Sequence, residues 1–595
     1  MRYSTWYLTC QTCVLNLFQF HHSQNQTHFL FLLPNIAKLL DLSAELPPRL
    51  LPISKLLFKF PLVFMALLLL SYSMSSQALS AQTLQDIHGT APYLTFDGGV
   101  TKANDISSLL GITLSDGTII KANEDNSSTT SPIELPNALD TFETVQSMVP
   151  FPRSGNNNYP TINLNDVVNA PYNYGRDDDG DDGISATGSI TVKWESKNAN
   201  NAYEDITSIV KRNPNSLLNV CDAPYRLTIS SSGGLLQTRS GVPDRIDFAS
   251  GSHTYYINPN KAIVSVCYAQ PNLAFGSTSN GMGLNVDGST WVANKGYKVL
   301  SASNSGNYNG ASSVTSNNFP STGSHGLFFY LLLKNITPAQ VLAANGNVVR
   351  AEEGGNVSLT LSTENTPRWQ YKNYNNSGAL GNAEPSLKIT LKGPRYNSNN
   401  KSFTPVTFKL YADSSKTKLL YEFKIMRWYI AQPNVNYRGT GNGSNAQTQV
   451  SNYCASFGSG YRIPDVNDYT NANASRYGWR GGIPGRAENS ARVGLPVRQL
   501  SYQESTTMWQ GGLFNEWGCI VNNFDAEDLE SVRCSGYPGS DWDIYIGYWS
   551  RSVGVNAGDS HRNGKGLGVH SALGFPYSYD FYNARAITRA VCVTP

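Results

Sequence analysis

Apolar side chains recur two positions apart in short runs along most of the chain. Ser189-Ile190-Thr191-Val192-Lys193-Trp194, Tyr225-Arg226-Leu227-Thr228-Ile229, Val357-Ser358-Leu359-Thr360-Leu361 and Tyr421-Glu422-Phe423-Lys424-Ile425 all alternate in this way. That period puts one face of a strand in a core and the other in solvent, so each run predicts a half-buried β-strand. The 3.6-residue period of an amphipathic helix is scarce. One short helix is predicted over Thr337–Gly346, with Thr337 as N-cap, Pro338 at the first helical position and Asn345-Gly346 as a stop. The closing run Ala586-Ile587-Thr588-Arg589-Ala590-Val591-Cys592-Val593 predicts a central strand, and Pro464-Asp465 could start a helix. The expected class is mainly β.

Three short matches share one spacing. Leu227-Thr228-Ile229 is echoed by Ile389-Thr390-Leu391, Pro243 with Ile246 and Phe248 by Pro405 with Phe408 and Leu410, and Ala269-Gln270-Pro271-Asn272 by Ala431-Gln432-Pro433-Asn434, all 162 positions on. Matches in register predict two related β-sandwich modules whose last strand ends at Ala-Gln-Pro-Asn. Gly-, Ser- and Asn-rich stretches at 273–322 and 438–445 predict a long loop and a linker. The expected organisation is a leader over 1–81, a β-rich segment over 82–150, sandwich modules over 151–300 and 301–434, and a last domain over 440–595.

Lys55 and Lys59 precede an apolar run from Phe60 to Leu70, and small or polar residues follow to Ala78. A charged flank, a short apolar core and a small-residue cleavage site predict a Sec-type signal peptide over about 55–78. Eleven apolar residues fall short of the roughly 20 that span a bilayer. Because signal peptides begin at a chain start, translation is expected to initiate nearer Met65 or just before Lys55. No later apolar run reaches 18 residues, so the mature chain is expected to lack an integral membrane segment and to be secreted or displayed on a cell surface. With 45 Lys+Arg against 43 Asp+Glu, the charge of +2 speaks against a nucleic-acid surface. Aromatic residues, at 11%, nearly match the 15% that are charged, and five of the ten Trp fall between 479 and 549.

Cys10 and Cys13 lie in the leader. The remaining six, Cys221, Cys267, Cys454, Cys519, Cys534 and Cys592, are an even set in an exported chain and predict disulfides. Two fall in one region and four in another. The expected pairs are Cys221–Cys267, and Cys519–Cys534 nested inside Cys454–Cys592. A first cysteine before a helix, a last one in the terminal strand and a short inner pair is the arrangement of an α+β C-type-lectin-like fold.

From 454 onward Cys454-Ala455-Ser456, Gly460-Tyr461-Arg462-Ile463-Pro464, Leu513-Phe514-Asn515-Glu516-Trp517-Gly518, Tyr548-Trp549-Ser550 and Ala590-Val591-Cys592-Val593 resemble the adhesion domain of enterobacterial invasin- and intimin-like adhesins. Upstream, Asp177-Asp178-Asp179-Gly180-Asp181-Asp182-Gly183, His253-Thr254-Tyr255-Tyr256, Cys267-Tyr268-Ala269-Gln270-Pro271-Asn272 and Arg427-Trp428-Tyr429-Ile430-Ala431-Gln432-Pro433-Asn434 look like the same family's long adhesion region. The resemblance covers most of 150–595. It implies tandem Ig-like sandwiches presenting a C-terminal lectin-like domain, bacterial surface display, and binding to a protein or glycan of a host or neighbouring cell. Such adhesins usually carry their own outer-membrane β-barrel; this sequence has no room for one, which leaves a free secreted module or part of a split system.

The ligand-binding candidates are Trp509, Trp517, Trp542, Tyr545, Tyr548, Trp549, Arg551 and Arg562, residue types enriched at binding hot spots and sugar-stacking surfaces. Large aromatics are more often core, and Arg551 is the member most expected at the surface. Asp177, Asp179 and Asp181 are a calcium candidate, but the EF-hand spacing fails and a solvated acidic turn is the favoured reading. No cofactor is expected. Lectin-type calcium ligation also lacks its set, because Trp542-Asp543 has no adjoining Asn and both Gln-Pro-Asn copies fall outside the last domain. None of His88, His253, His325, His561 and His570 sits in a metalloprotease or nucleophile-elbow motif, and Asp559-Ser560-His561 are too close in sequence to form a triad. The chain is therefore expected not to be an enzyme. The alternatives are a secreted carbohydrate-active enzyme using Glu504, Glu516, Asp525 or Asp543 as paired carboxylates, and a structural surface subunit with no ligand of its own.

Overall fold

The structure is a computed structural model and describes residues 89–152, 158–198, 201–271, 291–292, 295–299, 318–366, 383–458, 460–484, 488, 492–494, 496–505, 508–520, 536–543, 547–571, 573–579 and 587–595. The leader and the signal segment lie outside these residues. Where the chain is described, it is mainly β, built on three large sheets.

The first sheet takes β1 (Ile133–Glu134), β2 (Thr161–Asn163), β3 (Ser185–Ala186), β4 (Ser189–Lys197), β5 (Tyr203–Asp205), β6 (Tyr225–Gln237) and β7 (Arg245–Asn258). Its main order is β1-β7-β6-β4-β2. The alternation read in the sequence is what this sheet uses. Ile190, Val192 and Trp194 on β4 and Tyr225, Leu227 and Ile229 on β6 face a core shared with Leu109, Phe142 and Val167.

The second sheet begins with β8 (Ser265–Gln270), β9 (Trp291–Val292) and β10 (Gly296–Lys298). The next strand, β11 (Thr322–Ser324), belongs elsewhere. The sheet resumes with β12 (Phe328–Lys334), β13 (Val348–Arg350), β14 (Ser358–Asn365) and β15 (Pro385–Lys392), in the order β9-β10-β8-β12-β15-β14-β13. Thus β8 and β10, which precede the expected boundary at 300, pair into the sheet that follows it. The helix predicted between β12 and β13 is present as α1 (Pro338–Asn345), capped by Thr337, whose hydroxyl accepts from the Gln340 N–H. A hairpin of β16 (Val406–Tyr411) and β17 (Leu419–Ile425) packs Phe408, Leu410, Tyr421 and Phe423 into the same core.

The third sheet joins residues from both sides of the expected linker. β18 (Arg427–Gln432) pairs with β11 on one side and with the terminal strand on the other. Beyond the linker come α2 (Ser444–Ala455), α3 (Val466–Tyr469), α4 (Leu513–Trp517), β19 (Gly547–Val553), β20 (Gly566–His570), β21 (Pro576–Ser578) and β22 (Ile587–Thr594). The sheet order is β11-β18-β22-β19-β20-β21. One continuous core therefore runs from Val266 through Leu359 and Phe423 to Trp549 and Val593, so the region after 440 has no separate core of its own.

Two disulfides have both cysteines among the described residues. Cys454 on α2 joins Cys592 on β22, closing the last region. Cys221 joins Cys267, but Cys267 sits on β8. This bond consequently links the first sheet's body to the second sheet. Cys519 is buried and disulfide-bonded; Cys534, its expected partner, lies outside the described residues.

Candidate functional site

The aromatic candidates are core residues. Trp517, Trp542, Tyr548 and Trp549 are fully buried and Trp509 nearly so. Their polar atoms are spent internally. The indole N–H of Trp517 donates to the Thr322 carbonyl at 3.0 Å, that of Trp542 to Ser324 Oγ at 3.0 Å, and that of Trp549 to the Tyr437 carbonyl at 2.9 Å. Two of the three acceptors lie on β11, so these indoles pin the last region to the preceding one. The Arg427 guanidinium covers Trp509 at 4.6 Å. Filling a seam between sheets accounts for four of the five clustered Trp. Tyr545 lies outside the described residues.

Arg551 is exposed, as expected, but its guanidinium forks onto the Asp465 carboxylate at 3.0 and 2.6 Å. Arg562 is largely enclosed: it bonds Asp559 and Ser578 and lies 4.9 Å from the Tyr477 ring.

The carboxylates of the enzyme alternative are enclosed as well. Glu516 is fully buried and accepts from the backbone and hydroxyls of Ser321 and Thr322. Burial pushes its carboxyl up to about 8 against the opposing pull of the Thr322 and Ser321 hydrogen bonds. Asp543 pairs with Arg589, itself nearly buried. Asp525 and the side chain of Glu504 lie outside the described residues. The Gly-Tyr-Arg-Ile-Pro segment serves a similar structural end. Arg462 and the fully buried Arg427 both pair with Asp468; burial works to raise that carboxyl, and the two guanidinium charges hold it below the usual range.

In the acidic loop, one oxygen from each of Asp177, Asp179 and Asp181 lies within 4.8 Å of the others, a spacing oxygen ligands of a hard divalent cation can adopt. The same loop ties down the start of the described chain. Asp179 accepts from Thr90, and Asp178 meets Lys102 at 2.6 Å and the Tyr93 hydroxyl at 2.8 Å. Of the three candidate ligands these partners engage Asp179 alone, and Asp177 Oδ2 is buried with no hydrogen-bond partner.

One solvent-exposed face of the last region is woven from residues 475–480 and 553–562. A 3-10 turn, Ser475–Tyr477, ends in Gly478 at φ 78°, where a Cβ would sit 2.5 Å from the Val555 nitrogen. Only glycine allows that approach. It permits the Val555 N–H to donate to the Gly478 carbonyl at 2.9 Å, and the Gly558 N–H bonds Ser475 at the same distance. Trp479 follows, half-buried, with its ring lying where a Cβ on Gly481 would be only 2.6 Å away.

Around this frame stand four arginines. Arg476 and Arg562 place their guanidinium carbons 5.8 and 4.9 Å from the Tyr477 ring. Arg480 is exposed and uses one nitrogen on the Asn556 carbonyl, at 3.0 Å. Arg492 rests against Gly558. Among the described residues, Arg476, Arg480 and Arg492 have no ion-pair partner. The face's carboxylates are engaged within it. Asp559 is held below the usual carboxylate range by its hydrogen bond from Arg562, with further help from the His561 and Arg476 charges, and Glu488 accepts from Ser475. Val553 and Val555 are the exposed large apolar residues here.

Of the sequence candidates, only Arg562 belongs to this face, with Arg551 nearby on β19. Trp479 is one of the five clustered Trp, whereas Arg476, Tyr477 and Arg480 are not among the sequence candidates. Their signal was available: Arg476-Tyr477-Gly478-Trp479-Arg480-Gly481-Gly482 interleaves guanidinium, aromatic and glycine in a chain with few charges. No family model matches the chain, and none of the curated proteins or solved structures matches it either.

Proposed function

We propose that the chain is a secreted or cell-surface bacterial adhesin of the invasin- and intimin-like kind, exported by its signal peptide. It binds a protein or glycan of a host or neighbouring cell through its C-terminal region. In this reading the first two bodies are Ig-like sandwiches and the last region is C-type-lectin-like. Support for the latter is the bond from α2 to the terminal strand, Cys454–Cys592. The observation that carries the function is the contrast within the last region. Its described aromatic candidates and the carboxylates of Glu516 and Asp543 are locked in structural contacts, while an arginine-rich face of glycine-shaped turns stands open. Glycosidase chemistry needs paired carboxyl groups that reach substrate, and the enclosed Glu516 and paired Asp543 do not offer that.

The test uses the full chain, because the last region shares β11 and β18 with the preceding body. Beads coated with the purified, oxidised chain are expected to adhere to epithelial or bacterial cells. Release of reducing sugar from polysaccharides, lost in Glu516→Gln or Asp543→Asn, would instead support the enzyme alternative. Absence of both adherence and activity would leave the structural-subunit alternative.

A further inference from the structure

We infer that the 475–480 and 553–562 face is a binding site for an acidic glycan, in which Arg476 and Arg480 take the carboxylate or sulfate groups and Trp479 stacks on a sugar ring. The inference rests on the adhesin reading and deepens it by naming the ligand class.

The donor chemistry comes first. A guanidinium presents planar, paired N–H donors that match a carboxylate or sulfate two bonds at a time, and it stays charged at any working pH. Arg480 uses a single nitrogen on backbone carbonyls, and its other donors have no partner among the described residues. Arg476 lies 5.8 Å from the Tyr477 ring and makes no ion pair among the described residues, its charge reaching Asp559 only at longer range. Elsewhere Arg551 meets Asp465, Arg462 and Arg427 meet Asp468, and Arg589 meets Asp543, while the buried Arg498 donates to the Glu516 carbonyl and lies over the Trp291 ring. With Arg476, Arg480, Arg492 and Arg562 against Asp559 and Glu488, this face carries an excess of two positive charges in a molecule whose overall charge is only +2.

The ring surface comes second. Trp479 is the one Trp of the last region that is not buried, and the Gly481 backbone passes close against it. A partly exposed indole packed against a glycine backbone offers ring surface on which a pyranose can stack. The hydrogen bonds Val555 to Gly478 and Gly558 to Ser475 hold platform and guanidinium groups together before any ligand arrives, which lowers the ordering cost of binding.

The same features argue against other partners. A protein interface of ordinary strength has an apolar centre, and an inserted membrane anchor needs a broad apolar stripe. Here Val553 and Val555 are the exposed large apolar side chains.

The full oxidised chain is applied to an array of sialylated, uronic-acid-bearing and sulfated oligosaccharides beside their neutral parents. Poly-glutamate and vesicles containing phosphatidylglycerol serve as anionic controls. The wild type is expected to bind acidic members at least about tenfold more tightly than neutral ones, the scale of one charge-assisted contact. The double variant Arg476→Gln/Arg480→Gln is expected to lose about tenfold or more with an unchanged melting temperature. Arg→Lys at both positions keeps the charge without the paired donors and should recover only part of the affinity. Equal binding to neutral parents, to poly-glutamate or to the vesicles overturns the inference, as does wild-type affinity in the double variant. If the chain adheres to cells while acidic glycans and the double variant have no effect, the inference fails and the adhesin reading stands. If acidic glycans bind but no cell does, the adhesin reading fails instead.

Discussion

A carboxyl group sealed inside a seam titrates with the whole fold, and Glu516 is such a group. Its folded-state value near 8 lies above the ordinary 4.5, so the folded chain holds that proton more tightly than the unfolded chain does. The stability it contributes is complete below about 4.5 and is lost as pH rises toward 8, on the order of a few kcal/mol. His325 works oppositely. Burial lowers its ring, with the Gly393 carbonyl opposing and the Arg395 and Lys392 charges assisting, so its contribution is complete above 6.5 and is lost as pH falls below that. Between 6.5 and 8 the Glu516 slope therefore stands alone of the two. Urea unfolding midpoints are expected to fall across that window. Glu516→Gln is expected to remove the slope, while costing about 1–3 kcal/mol because an amide N–H then faces the Ser321 or Thr322 N–H. A flat wild-type profile would show the carboxylate already ionised. Nothing in the sequence around Leu513-Phe514-Asn515-Glu516-Trp517 announced this role, because the partners that enclose Glu516 come from residues almost 200 positions earlier.

At the scale of elements, each of the two strands that carry the matching Ala-Gln steps pairs into a later sheet. Ala269-Gln270 closes β8, and Ala431-Gln432 closes β18. β8 lies in the second sheet beside β12, and β18 lies in the third between β11 and β22. The alternation of apolar residues located these strands well, since it reports which face is buried. It does not report which strand lies alongside, and so the predicted cuts at 300 and 440 fall within shared sheets. Arg427 shows the limit most plainly: a charged residue at the start of a strand reads as surface, yet it is fully buried against Asp468 and Trp509. A fragment of 440–595 leaves the edge of β22 bare and the Trp517 and Trp542 indoles without Thr322 and Ser324. It is expected to be aggregated or molten, with weak near-ultraviolet circular dichroism. A fragment of 262–595 with Cys267→Ser retains all of these and is expected to unfold in one cooperative step. A well-dispersed amide spectrum from the shorter piece would show that the seam is dispensable.

For the molecule as a whole, the described chain has two cores joined by a short connection, not a string of independent beads. The connection is held at both ends. Asn260 donates to the Leu135 and Pro136 carbonyls on the first body, and Asn335 donates to the Ile263 carbonyl from the second. Cys221–Cys267 adds a covalent tie between the bodies, and this changes what the cysteine pair means. Spacing alone suggested a staple inside one module; the bond closes a loop of 46 residues that contains the β6–β7 hairpin and fastens it to β8. In the chain-entropy model such a loop contributes about 4 kcal/mol. Because β8 remains paired to β12 without the bond, the contribution belongs to the first body and to its attachment. Cys221→Ser with Cys267→Ser is expected to lower the calorimetric transition of the first body, leave that of the body closed by Cys454–Cys592 in place, and broaden the distance distribution in small-angle scattering. If both transitions move together, the two cores unfold as one unit and the hand-over of β8 already couples them without the disulfide.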